Sequence, residues 1–400
     1  MKQFALASYA LYLLSGMVIT TIGSVLPPLL SYYDLSYTVG GQLVFLGSAG
    51  FVIGVPFSSF LMNRLSERAL LSISASFVAF AQLGMLLLPP VGWIFFLNFF
   101  NGFGVAMLET VVATLMMEVF VGRRAVAMSY LEVSFGIGAL VMPLMASVFI
   151  AQDAWRFSFL IPGLFAVFMA VAWWLISYSK ENADVAESLD ANSPPPPKLT
   201  SPRMKWVLLS LFTLMIFVYT GIEGSLNNFL SSVFVSYLGQ VPYFASLSIG
   251  IFWTAMVIGR AATGWLIRKV PYSRFLLFSI TGTLAGLVCF ALFKNVIIAY
   301  IIVAMLGLTM SGIFSITMVY ANHTLPGMAR LVTGAITGFA GLGQAVFPIF
   351  IGFTMDHADT SAALWLITGF AGLYALLLFT VFALQMRLRK SEAVVDGATP

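Results

Sequence analysis

The chain has 400 residues, of which 60% are hydrophobic and only 8% charged, a balance that excludes a soluble globular domain of this size. Its formal net charge of +4 comes from cations dispersed among loops rather than clustered with aromatics, so it is no nucleic-acid footprint. The single cysteine, Cys289, lies in an apolar run, which excludes an intramolecular disulfide and a cysteine-based metal site.

In chain order, apolar runs predict twelve spans, at 4–30, 40–61, 69–89, 91–118, 125–150, 157–178, 205–235, 243–267, 274–293, 296–321, 331–354 and 361–386. A hydrocarbon core roughly 30 Å thick needs about 20 such residues. The runs are continuous rather than alternating, and lipid leaves backbone groups nothing to bond to, so the spans are helices and not barrel strands. The first is too long for a signal peptide and is followed by no small-residue cleavage site, so it is expected to be retained. With the N-terminus inside, Lys2, Arg64, Arg68, Arg123, Arg124, Lys180, Arg268, Lys269, Arg330 and Arg387 fall on the cytoplasmic side, and only Arg156 and Lys294 fall opposite. That bias places both termini in the cytoplasm.

Residues 179–204 break the pattern with acidic residues, serine and a run of prolines, the composition of a solvated, partly extended linker. It separates an N-terminal six-helix bundle (1–178) from a C-terminal one (205–400) that ends in a short tail. The two halves repeat at an offset of 205 residues: Val52-Ile53-Gly54 falls on Val257-Ile258-Gly259, Gly102 on Gly307, Gly136 on Gly341, Gly138 on Gly343 and Pro143 on Pro348. The expected fold is therefore all-α, with twelve transmembrane helices in two pseudo-symmetric bundles. Helices one and seven, two and eight, four and ten, and five and eleven would enclose a cavity at the midplane.

Three carboxylates lie inside spans: Glu109 in the fourth, Glu132 in the fifth and Glu223 in the seventh. Arg260 in the eighth is the only deep cation and needs one of them as a counter-charge. A charge at a helix centre costs on the order of 2.5–3.5 kcal/mol on insertion scales, so such groups face a cavity or a partner and mark ion pathways. The offset places Phe314, Thr337, Val18 and Val55 opposite Glu109, Glu132, Glu223 and Arg260, so the duplicate does without each charge. Asn98 and Asn101, Asn227 and Asn228, Trp253, Thr337 and Gln344 accompany these charges at helical spacing, as the lining of a site for a polyhydroxylated ligand would. Static ion pairing and hydrogen-bonding between helices are the competing readings. No phosphate loop, nucleophile elbow or metal-ligand spacing is present, which argues against an ATP-driven pump, an enzyme, a cofactor or a metal.

The segment from Ser59 to Arg68 resembles the major facilitator signature of Gly, Asp-Arg and Gly-Arg-Arg, with Asn63 in place of the usual Asp and Ser66 in place of a Gly. Leu108-Glu109-Thr110, Leu131-Glu132-Val133, Phe135 to Leu140, Gly221-Ile222-Glu223, Asn228-Phe229-Leu230, Phe252-Trp253 and Ile258-Gly259-Arg260 resemble the fucose–galactose–glucose:proton symporter group of that superfamily, in particular its bacterial glucose/mannose-type members. The resemblance implies hexose uptake coupled to protons in a bacterial cell membrane, with Glu109 a coupling candidate. The fucose-type relatives also carry an acidic residue in the first span, where this chain offers only Ser15, Thr20, Thr21 and Ser24. Coupling would then rest on Glu109, Glu132, Glu223 and Arg260. The expected partners are a small solute, protons and the bilayer, for a monomer; a proton-driven exporter of drugs or amphipathic metabolites is the alternative.

Overall fold

A computed structural model describes residues 2–120, 124–175, 202–267, 269–325 and 327–395. Its helices are α1 (Lys2–Tyr33), α2 (Tyr37–Met62), α3 (Glu67–Leu86), α4 (Val91–Val119), α5 (Arg124–Ala151), α6 (Leu160–Leu175), α7 (Pro202–Ser236), α8 (Pro242–Leu266), α9 (Tyr272–Leu292), α10 (Val296–Met310), α11 (Ile313–Thr324), α12 (Ala329–His357) and α13 (Thr360–Val395). They supply twelve spans long and apolar enough to cross a membrane, α10 and α11 together making the tenth. The protein is a multi-pass membrane protein. The expected linker lies outside the described residues as far as 201, and its last three residues, Pro202 to Met204, already belong to α7.

Local chemistry sets several helix starts. The Ser36 hydroxyl accepts from Val39 N to cap α2, Ser66 does the same for α3 through Ala69 N, and Asn295 takes Ile297 N and Ile298 N at the head of α10. Ser66, the departure from the usual signature glycine, is thus a helix cap here. The tenth span departs from the single helix expected over 296–321, since it breaks at Ser311-Gly312 and resumes to Thr324. Ser311 Oγ turns back to Leu308 O at 2.7 Å, and Gly312 lies so close to Phe275 that a Cβ would come within 2.6 Å of its ring. A Ser/Gly pair with a back-bonded hydroxyl is a common site of helix kinking.

Each half is built from the same three helix pairs. α1 packs on α5, α2 on α4 and α3 on α6; 205 residues later α7 packs on α12, α8 on α10 and α9 on α13. The repeated glycines are where these pairs touch. A Cβ on Gly102 would lie 1.9 Å from Gly47 O, and one on Gly307 would lie 2.4 Å from Phe252 O, itself the repeat partner of Gly47. Gly54 meets Phe103 O and Ala106, while Gly259 meets Leu308 O and Ser311, again at the same offset. Helices in lipid associate through such close backbone approach, having no hydrophobic effect to drive them together.

The halves meet along two seams, α2 with α12 and α5 with α8, supported by α1 against α7. The first seam is closed from Tyr37, whose carbonyl lies against Gly352, down to Val52, which lies against Gly341. Beyond that point Gly338 and Gly334 have nothing within 4 Å. The second is closed from Ser147, bonded to Tyr243 O, down to Glu132 and Arg260. A cleft therefore opens between the halves on the face that holds α2's C-terminus and α12's N-terminus, and the opposite face is sealed.

If repeat glycines set helix spacing, Gly138→Val, whose Cβ would stand 2.0 Å from Leu13 O, should cost about 3 kcal/mol, the upper end of the usual cost of overpacking. Thermal unfolding in detergent should show a sharply lower midpoint or little folded protein. Gly369→Ala, at a helical glycine with nothing within 4 Å, should leave the midpoint unchanged or slightly higher.

Candidate functional site

Arg260 projects from α8 where the second seam gives way to the cleft. Its Nη1 donates to Glu132 Oε2 on α5 at 2.9 Å, and its Nη2 lies 3.7 Å from Glu223 Oε1 on α7. The first contact is a charge-assisted hydrogen bond across the two halves, and the second is a charge contact within the C-terminal half. Exposure separates the two acids: the Glu132 side chain is 53% exposed and Glu223 only 9%. The cation thus shares itself between a wet partner in one half and a dry partner in the other.

Trp253, two turns before Arg260 on the same face of α8, packs its ring against the guanidinium, with Cζ 5.6 Å from the ring centroid. The ring packs edge-on against Phe135 of α5 at 5.6 Å. Its Nε1 donates to Asn227 Oδ1 at 2.8 Å, and Asn227 Nδ2 donates in turn to Ile19 O of α1 at 3.1 Å. Both ends of that amide are therefore engaged, one of them across the halves. Tyr219, one turn before Glu223, is buried and donates to Met310 O at 2.9 Å, at the break between α10 and α11.

Glu109 stands apart from this cluster, on α4 in the N-terminal half. Its Oε1 is buried without a hydrogen-bond partner, and so is Ser15 Oγ of α1, which faces the same carboxyl. Tyr12 of α1 donates its hydroxyl to the Glu109 backbone carbonyl at 3.1 Å, fixing α1 against α4 beside the acid. An unpaired carboxyl oxygen out of contact with water is costly for a charged acid and far less so for a protonated one.

The structure divides the polar residues named from the sequence. Asn227 and Trp253 join Glu132, Glu223 and Arg260 in one cluster. Asn228 is half-buried on α7 and bonds its own helix at Gly224 O, and Gln344 packs over Gly224 while its carbonyl accepts from Ser48 of α2. Thr337 is exposed on α12, between the open glycines Gly334 and Gly338. Asn98 and Asn101 stand apart from the cluster, buried within the N-terminal half. Asn98 donates to Leu43 O at 2.8 Å, with Gly47 packed onto its amide, and Asn101 accepts from Gln82 of the peripheral α3 at 3.0 Å. Both tie helices together inside the N-terminal half. The spacing that relates Asn98 to Glu109 along α4 marks a stripe, not which neighbour the stripe meets. Tyr12 and Tyr219 carry no signal in the sequence, because an apolar helix offers tyrosine many bland uses and their hydroxyls here bond backbone carbonyls.

The sequence profile of the Major Facilitator Superfamily matches residues 9–337. The chain is 27% identical over 359 residues to the glucose/mannose transporter GlcP of Bacillus subtilis (strain 168), covering 88% of each protein. It is 25% identical over 253 residues to the fosmidomycin resistance protein of Escherichia coli (strain K12), covering 60% of this chain and 58% of that one. Among solved structures, a bacterial homolog of the human lysosomal transporter Spinster, in an inward-facing and occupied conformation, superposes with a TM-score of 0.75 at 13% identity, over 95% of this chain and 96% of that one.

Removing the cation tests the charge cluster. Arg260→Met should leave Glu223 without its counter-charge and lower stability by about 2–3 kcal/mol, less than for a fully dry pair because the Arg260 side chain is 28% exposed. Adding Glu223→Gln should recover most of the loss, since half-exposed Glu132 can be hydrated instead. Equal unfolding midpoints for Arg260→Met and the parent in detergent would remove the pair from the account of stability.

Proposed function

As the chain belongs to the Major Facilitator Superfamily, we propose that this transporter carries a hexose through the cleft by alternating access, coupled to the inward movement of a proton. It is not an enzyme. The observation that carries the reading is the sharing of Arg260 between Glu132 across the seam and Glu223 in its own half. A carboxylate open to the cleft can take a proton from water. Once neutral, Glu132 no longer holds Arg260 across the seam, and the guanidinium turns to Glu223 without leaving its half. The α5/α8 seam is then free to part at that depth, and loss of the proton restores the bond. Glu109, with its unpaired buried oxygen, is the second proton-carrying candidate.

The solute would bind beside this switch, with Trp253 covering apolar ring carbon and Asn228 and Gln344 offering amide groups from α7 and α12. The similarity to a glucose/mannose transporter supports a hexose. The distribution of loop cations supports cytoplasmic termini in a bacterial cell membrane, and with that orientation the cleft faces the cytoplasm. The driving force suffices: one charge moved through 100 mV supplies about 2.3 kcal/mol, and each 1.4 kcal/mol sustains roughly a tenfold gradient. The partial similarity to a drug resistance protein keeps proton-driven export as the competing reading.

Proteoliposomes with an inward proton gradient should accumulate labelled D-glucose or D-mannose, and Glu109→Gln or Glu132→Gln should cut accumulation at least about tenfold while leaving exchange at equal concentrations. Should no hexose accumulate while lipophilic cations move against the proton gradient, export replaces this reading. If both substitutions leave accumulation intact, the proton does not travel on these carboxylates.

A further inference from the structure

On the sealed face a carboxylate ties the two halves together. Asp356, in the last turn of α12, accepts Tyr37 N on Oδ1 at 3.0 Å, and Thr38 N and Thr38 Oγ1 on Oδ2 at 2.6 and 2.5 Å. It thereby caps the N-terminus of α2, a helix of the other half, alongside the local cap Ser36, whose hydroxyl accepts from Val39 N.

We propose that Asp356 is a gating residue, a latch that holds this face shut and must release in each transport cycle. Three observations carry the inference. The carboxylate sits at the C-terminal end of its own helix, where the negative end of the dipole opposes it, and against the positive end of α2, whose free N–H groups welcome it. Its charge is therefore unfavourable within its own half and favourable only while the halves meet. The contact is also built for close approach: a Cβ on Gly352 would stand 2.2 Å from Tyr37 O, and one on Gly41 would stand 2.6 Å from Pro348 O. Finally, the duplicate seam lacks the device. At the offset of 205, Ala151 stands for Asp356, and Pro242, which has no N–H to donate, stands for Tyr37. The scaffold evidently does not need it.

The latched groups lie at the exposed rim, so water replaces the lost bonds as the face opens, and the contact is reversible. The inference concerns which face is open and does not depend on the identity of the solute.

The test uses the detergent-solubilised full chain with Cys289→Ser, carrying Ser147→Cys as a reporter buried in the sealed α5/α8 seam, and follows the rate of maleimide labelling. Asp356→Asn should label about tenfold faster than its parent, and Thr38→Val, which loses only the hydroxyl bond, should fall between them. Asp356→Glu, which keeps the charge, should stay nearer to the parent than Asp356→Asn. A folded Asp356→Asn protein that melts lower but labels at the parent rate would assign the residue to stability alone and overturn the proposal. So would unchanged labelling in Thr38→Val together with Asp356→Glu labelling as fast as Asp356→Asn.

Discussion

A guanidinium in the middle of a membrane cannot stand without a counter-charge, and where Arg260 finds one decides how the two halves of this protein are joined. Had its partner been on a neighbouring helix of the same half, the pair would be a rivet. Instead the tighter bond, at 2.9 Å, crosses the seam to Glu132, and the looser contact, at 3.7 Å, stays at home with Glu223. Attraction across a seam that must part has to be exchangeable. A cation with a reserve partner meets that requirement, because the charge is never left alone when one bond breaks.

The packing inside each half follows the opposite rule. Gly16, Gly50, Gly102 and Gly138 bring backbone to backbone so closely that a Cβ would lie about 2 Å from the facing carbonyl. Such surfaces fit in one arrangement and resist deformation. Glycine contacts thus set the spacing inside each half, while the seams combine their own close glycines, Gly41 and Gly352, with charge and hydrogen bonds. The two seams place those polar contacts at different depths, Asp356 at the sealed rim of α2/α12 and Glu132 with Arg260 where α5/α8 opens to the cleft. Between them the repeat partners Gly41 and Ser246 meet the carbonyls of Pro348 and Pro143, a contact common to both seams, to which each adds its own charged group.

The rigid part was legible in the sequence because duplication writes it twice. Gly102 and Gly307, or Gly54 and Gly259, recur at one offset because each copy makes the same contact, and the helix pairing follows. The charges were legible for the converse reason, since Glu132 over Thr337 and Arg260 over Val55 break the repeat. What could not be read was direction. Asn98 and Asn101 share α4 with Glu109 but turn to α2 and α3, and sequence spacing alone does not say which neighbour a stripe meets. Asp356 carries no signal in the sequence because its partners are groups of residues more than 300 positions away, two of them backbone N–H. The break in the tenth span escaped for a similar reason: Ser311-Gly312 is unexceptional until Phe275 is placed against it.

Asn227 ties the charge cluster to the contact between the halves. Asn227 has one donor bond and one acceptor bond, and they face different bodies: Ile19 O in the N-terminal half, Trp253 Nε1 in its own. Trp253 in turn lies under Arg260 and against Phe135. Separation of α1 from α7 therefore removes one restraint on the amide, which loosens the indole, which alters the surface supporting the guanidinium. A polar solute that bonds to the same amide would act on the same chain of contacts from the other end. In the proposed cycle, solute, proton and half-to-half geometry would converge on Arg260 through these short contacts, with no longer path between them.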